Sequence, residues 1–217
     1  MAETLGKMEK PEASSFKLGR KLIYVPLIFL PPDDEDAELL SLVKKYWSEA
    51  AEQVNKLSDD LGGIKKVYHE LAPAGEEGLQ VMEGMHSGSH ELVKSVLSSG
   101  AVLQETEDLE ALAEYLDWGR CLAVRLESPK VFTEVYENYT RAQQKRIEAI
   151  ANKIDESLKT DELGLALLRE GHRVQFPTDI QIFYVAPPSL DALSRYVRDR
   201  LEKAPPEGEP EEKKEAA

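Results

Sequence analysis

The chain has 217 residues, of which 41% are hydrophobic and 31% are charged, which is ordinary for a globular domain with its own core. Its net charge of −14 argues against nucleic-acid partners, because phosphate backbones would be repelled. The longest apolar run, Leu22–Leu30, is too short to span a bilayer, so we expect no membrane insertion. Cys121 is the single cysteine, which excludes an internal disulfide framework and favours a reducing, cytoplasmic location.

The first half of the chain begins with polar residues 1–17, which predict a flexible N-terminal tail. Lys21–Leu30 is continuously apolar and rich in β-branched and aromatic residues, as is typical of a buried strand. Pro26 lies inside this run and predicts an edge position, a bulge or an early end of the pairing. From Asp36 to Leu61 the apolar residues recur at spacings of three and four, which predicts an amphipathic helix that ends at Gly62.

The middle of the chain predicts two short strands and one long helix. The strands are Ile64–Leu71 and Ala101–Gln104. Ser128 followed by Pro129 is a strong helix start, and the apolar spacing continues from there to Lys159. A helix of about thirty residues is longer than most in globular proteins. We therefore expect it to pack across a whole sheet, or against the same helix of a second copy in a homo-oligomer.

Two apolar runs, Gly164–Leu168 and Ile180–Val185, predict two further buried strands. Only about eleven residues separate them, which is short for a parallel crossover. Either a tight helical turn makes the crossover, or the two strands pair antiparallel. Residues 203–217 are rich in proline, glutamate and lysine and predict a disordered acidic tail. Strands that alternate with helices predict a single α/β domain over residues 18–202, with a central, mostly parallel sheet, flanking helices and one very long helix.

Two polar elements lie at the carboxyl ends of predicted strands, where open α/β sheets bind ligands. They are the pair His69-Glu70 and the histidine His172. A carboxylate and an imidazole that meet at this edge could bind a divalent metal or transfer a proton. The alternative is a histidine in a surface loop and a glutamate that caps a turn.

A second pair of histidines, His86 and His90, is spaced four residues apart. A helix would place both on one face, as metal-binding helices do. The local sequence HSGSHE lacks the glutamate of a zinc-protease motif, and two histidines are not a complete ligand set. The pair indicates either a metal or haem carrier or polar residues on the solvent side of a frayed helix.

The order of these features resembles the TraB/ChaN/erythromycin-esterase-like superfamily. The segment Tyr139–Val174 is similar to the arginine-bearing helix of that family followed by its Gly-Ala-x-His strand. The resemblance implies functional roles for Arg141 and His172, and it matches Glu70 to the acidic residue of the family's second motif. Phe29 stands about where the family's first motif has a histidine.

The resemblance implies a metal-dependent hydrolase that acts on a small molecule or a peptide. In that hypothesis Glu70 and His172 are metal ligands or the general base, and Arg141 orients an anionic group. Because Phe29 replaces the first-motif histidine, an alternative is a catalytically inactive binding or regulatory module of the same fold.

Overall fold

The computed structural model describes residues 18–29, 35–85 and 87–203, and within them the backbone forms five strands and six helices. The strands are β1 (Arg20–Leu27), β2 (Ile64–His69), β3 (Val102–Gln104), β4 (Leu163–Arg169) and β5 (Ile180–Tyr184). The helices are α1 (Ala37–Leu61), α2 (Gly75–Met85), α3 (Ser87–Ser98), α4 (Leu109–Ala123), α5 (Pro129–Ser157) and α6 (Pro188–Lys203). The predicted tails, before Leu18 and after Lys203, lie outside the described residues.

All five strands are parallel and lie in the order β3-β2-β4-β1-β5, which confirms the predicted α/β fold. Strand β1 is an inner strand, so Pro26 does not mark an edge strand. It marks an early end of the pairing on one side of β1. Pairing with β5 ends at Tyr24, whereas pairing with β4 continues to Leu27. A proline is tolerated there because it has no N–H to leave unpaired. Its carbonyl oxygen instead accepts a hydrogen bond from the Tyr46 hydroxyl at 2.5 Å.

The connection between β4 and β5 contradicts both alternatives that the sequence suggested. The two strands are parallel, but they do not pair, because β1 lies between them. Residues 170–179 cross the face of β1 without forming a helix. Val174 and Phe176 pack in this segment against the core beneath α5. Buried apolar side chains of an irregular segment therefore cover part of the sheet that a crossover helix usually covers.

The sheet has a core on each face. On one face the buried side chains come from the sheet and from α1, α2, α3 and α6. The other face is covered by α5, whose buried residues begin only at Ala142. Helix α4 follows the carboxyl end of β3 and packs mainly against α5. The α4–α5 hairpin (Leu109–Ser157) therefore extends past the carboxyl edge of the sheet. The part of α5 before Ala142 is not buried in the core.

The long helix is present as predicted, with the Ser128 side chain accepting a hydrogen bond from the Val131 N–H at its start. Gly62 caps the end of helix α1 and adopts φ 102°, a left-handed conformation that glycine adopts without steric cost. None of the described helices combines the length and the apolar character needed to cross a membrane.

Candidate functional site

Four charged side chains meet at the carboxyl edge of the sheet. Glu70 follows β2, Glu107 follows β3, Arg169 ends β4, and Arg146 reaches the same edge from α5. Parallel strands end at one edge, which explains why residues far apart in sequence become neighbours. The side chains of Glu70, Glu107 and Arg146 are only 2%, 4% and 6% exposed, whereas that of Arg169 is 38% exposed.

Arg146 lies between the two carboxylates. Its Nη2 donates to Glu70 Oε1 at 2.9 Å and to Glu107 Oε1, and its Nε donates to Glu107 Oε2 at 3.0 Å. The guanidinium carbon is 5.1 Å from the centroid of the Tyr115 ring, which it overlies. Buried charges are tolerated when their partners satisfy them. Arg146 is therefore the charge that allows two carboxylates to be buried side by side.

Arg169 holds Glu70 from the other side. Its backbone N–H donates to Glu70 Oε2 at 2.7 Å, and its Nε donates to Glu70 Oε1 at 2.6 Å. These bonds fix the guanidinium, which also lies 5.5 Å from the Phe29 ring centroid. Within the described residues, both terminal NH₂ groups of Arg169 are left without a hydrogen-bond acceptor. Arg169 is thus a cation in a fixed position whose terminal NH₂ groups are available to a ligand.

Glu70 remains an anion despite its burial. Burial acts to raise its pKa, but the backbone N–H of Arg169 and the guanidinium groups of Arg169 and Arg146 outweigh that effect and hold the pKa below its usual value. Both carboxylate oxygens already accept hydrogen bonds from these arginines. A metal ion or a proton at Glu70 would therefore compete with these hydrogen bonds.

The turn around His172 fixes which of its ring nitrogens carries the proton. Its Nδ1 lies 2.8 Å from the backbone N–H of Val174, which can only donate, so the neutral ring must carry its proton on Nε2. Burial lowers the pKa of His172, although the charge of Glu70 opposes the shift. The ring is therefore neutral near pH 7, and it is held edge-on against Tyr24 at a centroid distance of 4.8 Å.

Two residues in left-handed backbone conformations follow the predicted site residues directly. They are Leu71 (φ 67°), after Glu70, and Arg173 (φ 59°), after His172. Residues other than glycine seldom adopt such φ values unless their surroundings hold them. The Leu71 N–H donates to Glu107 Oε1 at 3.3 Å. The ion-pair cluster therefore fixes one of these two turns.

The charged cluster opens into a small cleft of about 40 Å³. Glu70, Arg169 and His172 line it together with Tyr115 and Gln143. A water molecule needs about 10–15 Å³ of such space, so the cleft holds a few waters or one small polar group. The Tyr115 hydroxyl accepts a hydrogen bond from the Tyr139 hydroxyl at 3.3 Å, which leaves its own hydrogen to donate. The apolar part of the wall consists of Ile147, Ile150, Leu168 and Val174.

The structure brings together Glu70 and His172, as the sequence predicted, but it does not place Arg141 with them. Arg141 is exposed on α5 and donates to Asn138 Oδ1 at 3.3 Å. Arg146, five residues later, faces the site instead. Five residues turn a helix by about 140°, so two arginines at this spacing point to different sides. The predicted helix was correct, and the predicted arginine was not the one that reaches Glu70.

The metal-binding roles predicted for Glu70, His172 and His90 lack a complete set of ligands among the described residues. Among them, no three His, Cys, Asp or Glu side chains are placed to hold a metal ion. Glu70 and His172 line the cleft, but their acceptor atoms already bind arginines and a backbone N–H. His90 is buried with its Nδ1 3.4 Å from Glu91 Oε1. His86 lies outside the described residues, so the His86–His90 pair stays a prediction.

Sequence reasoning missed Arg146, Arg169 and Glu107. The sequence pattern itself could have indicated two of them. Arg169 ends a buried apolar run, and Glu107 follows the predicted strand Ala101–Gln104. Arg146 carried a different signal. It stands within the apolar face of α5, between the buried residues Ala142 and Ile150, where a charge implies a buried partner.

Comparisons of this chain with protein-family models, with curated proteins and with solved structures found no match. The resemblance to the TraB/ChaN/erythromycin-esterase-like superfamily therefore stays a prediction. A parallel α/β fold alone does not specify an activity. The function has to be argued from the cleft at the carboxyl edge.

Proposed function

We propose that the protein is a binding module whose cleft at the carboxyl edge takes the carboxylate group of a small molecule or a peptide. The observation that carries this proposal is the Arg169 side chain. Glu70 fixes its Nε, while its two terminal NH₂ groups remain unbonded within the described residues. A fixed guanidinium binds more tightly than a mobile one, because less rotational freedom is lost when the ligand arrives.

The chemistry of the lining favours a ligand that accepts hydrogen bonds. Arg169, His172 and Tyr115 each offer a donor, as described above. Arginine and carboxylate form two parallel hydrogen bonds when both are planar and aligned. A cleft of about 40 Å³ admits a carboxylate but is far smaller than the pockets of about 300 Å³ or more that bind drug-sized ligands. We infer that the rest of the ligand lies outside the cleft.

Charge alone does not select this ligand. Arg146 and Arg169 are balanced by Glu70 and Glu107, so the cluster has no net charge when all four are ionised. Selection therefore rests on the positions of the donors, and a neutral amide is the natural competitor of a carboxylate. Comparing an acid with the matching amide measures that selectivity directly.

Binding is better supported than hydrolysis. A general base needs a lone pair directed at the substrate, but the unprotonated Nδ1 of His172 already accepts a hydrogen bond from the Val174 N–H. Glu70 is likewise engaged by two arginines. The hydrolase hypothesis gave catalytic or metal-binding roles to these two residues, and Glu70 Oε1, Glu70 Oε2 and His172 Nδ1 each already receive a hydrogen bond.

The test is a titration of the ¹⁵N-labelled full chain with a panel of simple carboxylic acids and N-acetyl amino acids, followed by NMR. We expect chemical-shift changes around Arg169 and His172, and weaker or no binding of the matching amides. Arg169→Gln should lower the affinity about ten- to hundredfold, the usual loss for a charged hydrogen bond. Arg141→Gln, an exposed arginine of α5 outside the cleft, is the matched control. Failure of every acid to bind, or unchanged affinity in Arg169→Gln, would refute the proposal.

A further inference from the structure

Gln143 is a polar side chain of the cleft that has no partner among its neighbours. It follows Tyr139 by about one turn of α5 and precedes the buried Ile147 by another, so the three side chains lie on one face of the helix. Gln143 is half-buried and lines the cleft beside Tyr115 and His172. Within the described residues, its side-chain amide forms no hydrogen bond. The amide is therefore available to a ligand in the cleft.

The other acceptor atoms among the side chains that line the cleft already receive hydrogen bonds. Both carboxylate oxygens of Glu70 accept from arginines. The Tyr115 hydroxyl accepts from that of Tyr139 at 3.3 Å, and His172 Nδ1 accepts from a backbone N–H at 2.8 Å. The amide oxygen of Gln143 thus differs from them as an acceptor that the described part of the chain leaves unused.

The ligand group that suits an amide oxygen is a hydrogen-bond donor. Arg169, His172 and Tyr115 already offer donors to the carboxylate. The cleft of about 40 Å³ has room for only a few oxygen-sized groups, so the ligand's donor has to lie on the carbon next to the carboxylate. A hydroxyl group meets this requirement. An ammonium group would be repelled by the guanidinium of Arg169, which lines the same cleft.

We propose that the cleft selects 2-hydroxy carboxylic acids, with Gln143 as the residue that determines this specificity. Its amide oxygen accepts a hydrogen bond from the 2-hydroxyl group while Arg169 binds the carboxylate. The inference rests on the carboxylate-binding function proposed above and narrows its ligand. Because Gln143 recognises the hydroxyl group and not the carboxylate, it sets the preference among acids rather than the binding of acids in general.

Two acids of nearly equal size test this specificity in the wild-type chain. Glycolate and propionate differ by a hydroxyl group in place of a methyl group, and NMR titration of the ¹⁵N-labelled full chain gives both dissociation constants. Glycolate should bind about three- to tenfold more tightly than propionate, which is the usual effect of one hydrogen bond between neutral groups. Glycine, with an ammonium group at the same carbon, and N-acetylglycine, with an acylated nitrogen, should both bind more weakly than glycolate.

The outcomes separate this inference from the function on which it rests. Equal affinities for glycolate and propionate, with both lowered in Arg169→Gln, would overturn the specificity and leave the carboxylate site standing. Tighter binding of N-acetylglycine than of glycolate would also overturn it, because a peptide terminus would then be the better ligand. If none of these acids binds, the proposed function fails and the specificity fails with it.

Gln143→Met tests the role of the residue, because it removes the amide with little change in side-chain length. The variant should bind propionate about as well as the wild-type chain does, and its preference for glycolate should disappear. The matched control is Gln144→Met, which replaces the next glutamine of α5. Gln144 is exposed and donates to Glu148 Oε1 at 2.8 Å, so the control should keep the full preference. A Gln143→Met chain that still prefers glycolate would contradict the role given to Gln143.

Discussion

The two edges of the sheet each have an arginine held between two carboxylates, but the surroundings differ. At the amino edge, Arg20 Nε and Nη2 donate to Asp179 at 2.7 Å each, and Nη1 donates to Asp155 at 2.6 Å. These aspartates are 63% and 48% exposed. Water can therefore solvate them if Arg20 is removed, and the cluster serves to join the start of β1 to the end of α5 and to the segment before β5.

At the carboxyl edge the same arrangement is buried. Glu70 and Glu107 are almost inaccessible to water, and Arg146 lies between them. A second arginine, Arg169, shares Glu70 and extends the cluster to the surface. Burial therefore changes the role of an arginine that binds two carboxylates. At the exposed amino edge, Arg20 links segments of the chain. In the interior, the cluster around Arg146 also holds a second cation, Arg169, in a defined position.

The largest effect that we predict is that of Arg146→Met. The substitution leaves two buried carboxylates without their shared cation, which should cost about 3–5 kcal/mol of the free energy of unfolding. Urea unfolding at neutral pH measures the loss. Adding Glu70→Gln and Glu107→Gln to the same chain should recover much of it, because the buried charges are then gone. A loss below about 1 kcal/mol, as is usual for surface ion pairs, would contradict the account of this cluster.

The acid side of the stability profile should show the contribution of Glu70. Its pKa is lower in the folded chain than its usual value. The stability it contributes is therefore present above the pKa of the unfolded chain and is lost as the pH falls through the lower pKa of the folded chain. Urea midpoints measured from neutral to strongly acidic pH should fall less steeply on the acid side for Glu70→Gln than for the wild-type chain. If the urea midpoints of the two chains fall equally steeply at acidic pH, Glu70 does not titrate in this way.

A smaller effect is expected for Arg20→Met at the amino edge. Because its partners are exposed and screened, the loss should be about 1 kcal/mol and should shrink as salt is added. The same unfolding assay at low and high salt provides the measurement. A loss as large and as insensitive to salt as that of Arg146→Met would remove the distinction between the two edges.

Much of the fold could be predicted because it follows from the spacing of apolar residues along the chain. The apolar runs of β1 and β4 and the three-and-four spacing of α1 and α5 each specify an element without reference to the rest of the chain. The position of β1 between β4 and β5 could not be predicted in this way. That order depends on which strands pack best together, and the segment 170–179 supports it with buried side chains rather than with a helix.

The site was predictable only in part for a related reason. Glu70 and His172 follow apolar runs, so the topology of a parallel sheet places them at one edge. Which arginine joins them depends on the rotation of α5 about its axis, and that rotation brings in Arg146 rather than Arg141. The tautomer of His172 depends on one backbone N–H two residues away, which only the folded turn brings into position.

The tautomer of His172 is the most direct test of whether the cleft offers donors rather than a base or a metal ligand. Long-range ¹H–¹⁵N spectra of the full chain near pH 7 should show the neutral ring with its proton on Nε2. An acetate concentration that just saturates the wild-type chain should shift the Nε2 resonance in the wild-type chain and in Arg141→Gln, and much less in Arg169→Gln. A proton on Nδ1, or an Nε2 resonance that does not move while acetate binds, would contradict the proposed binding site.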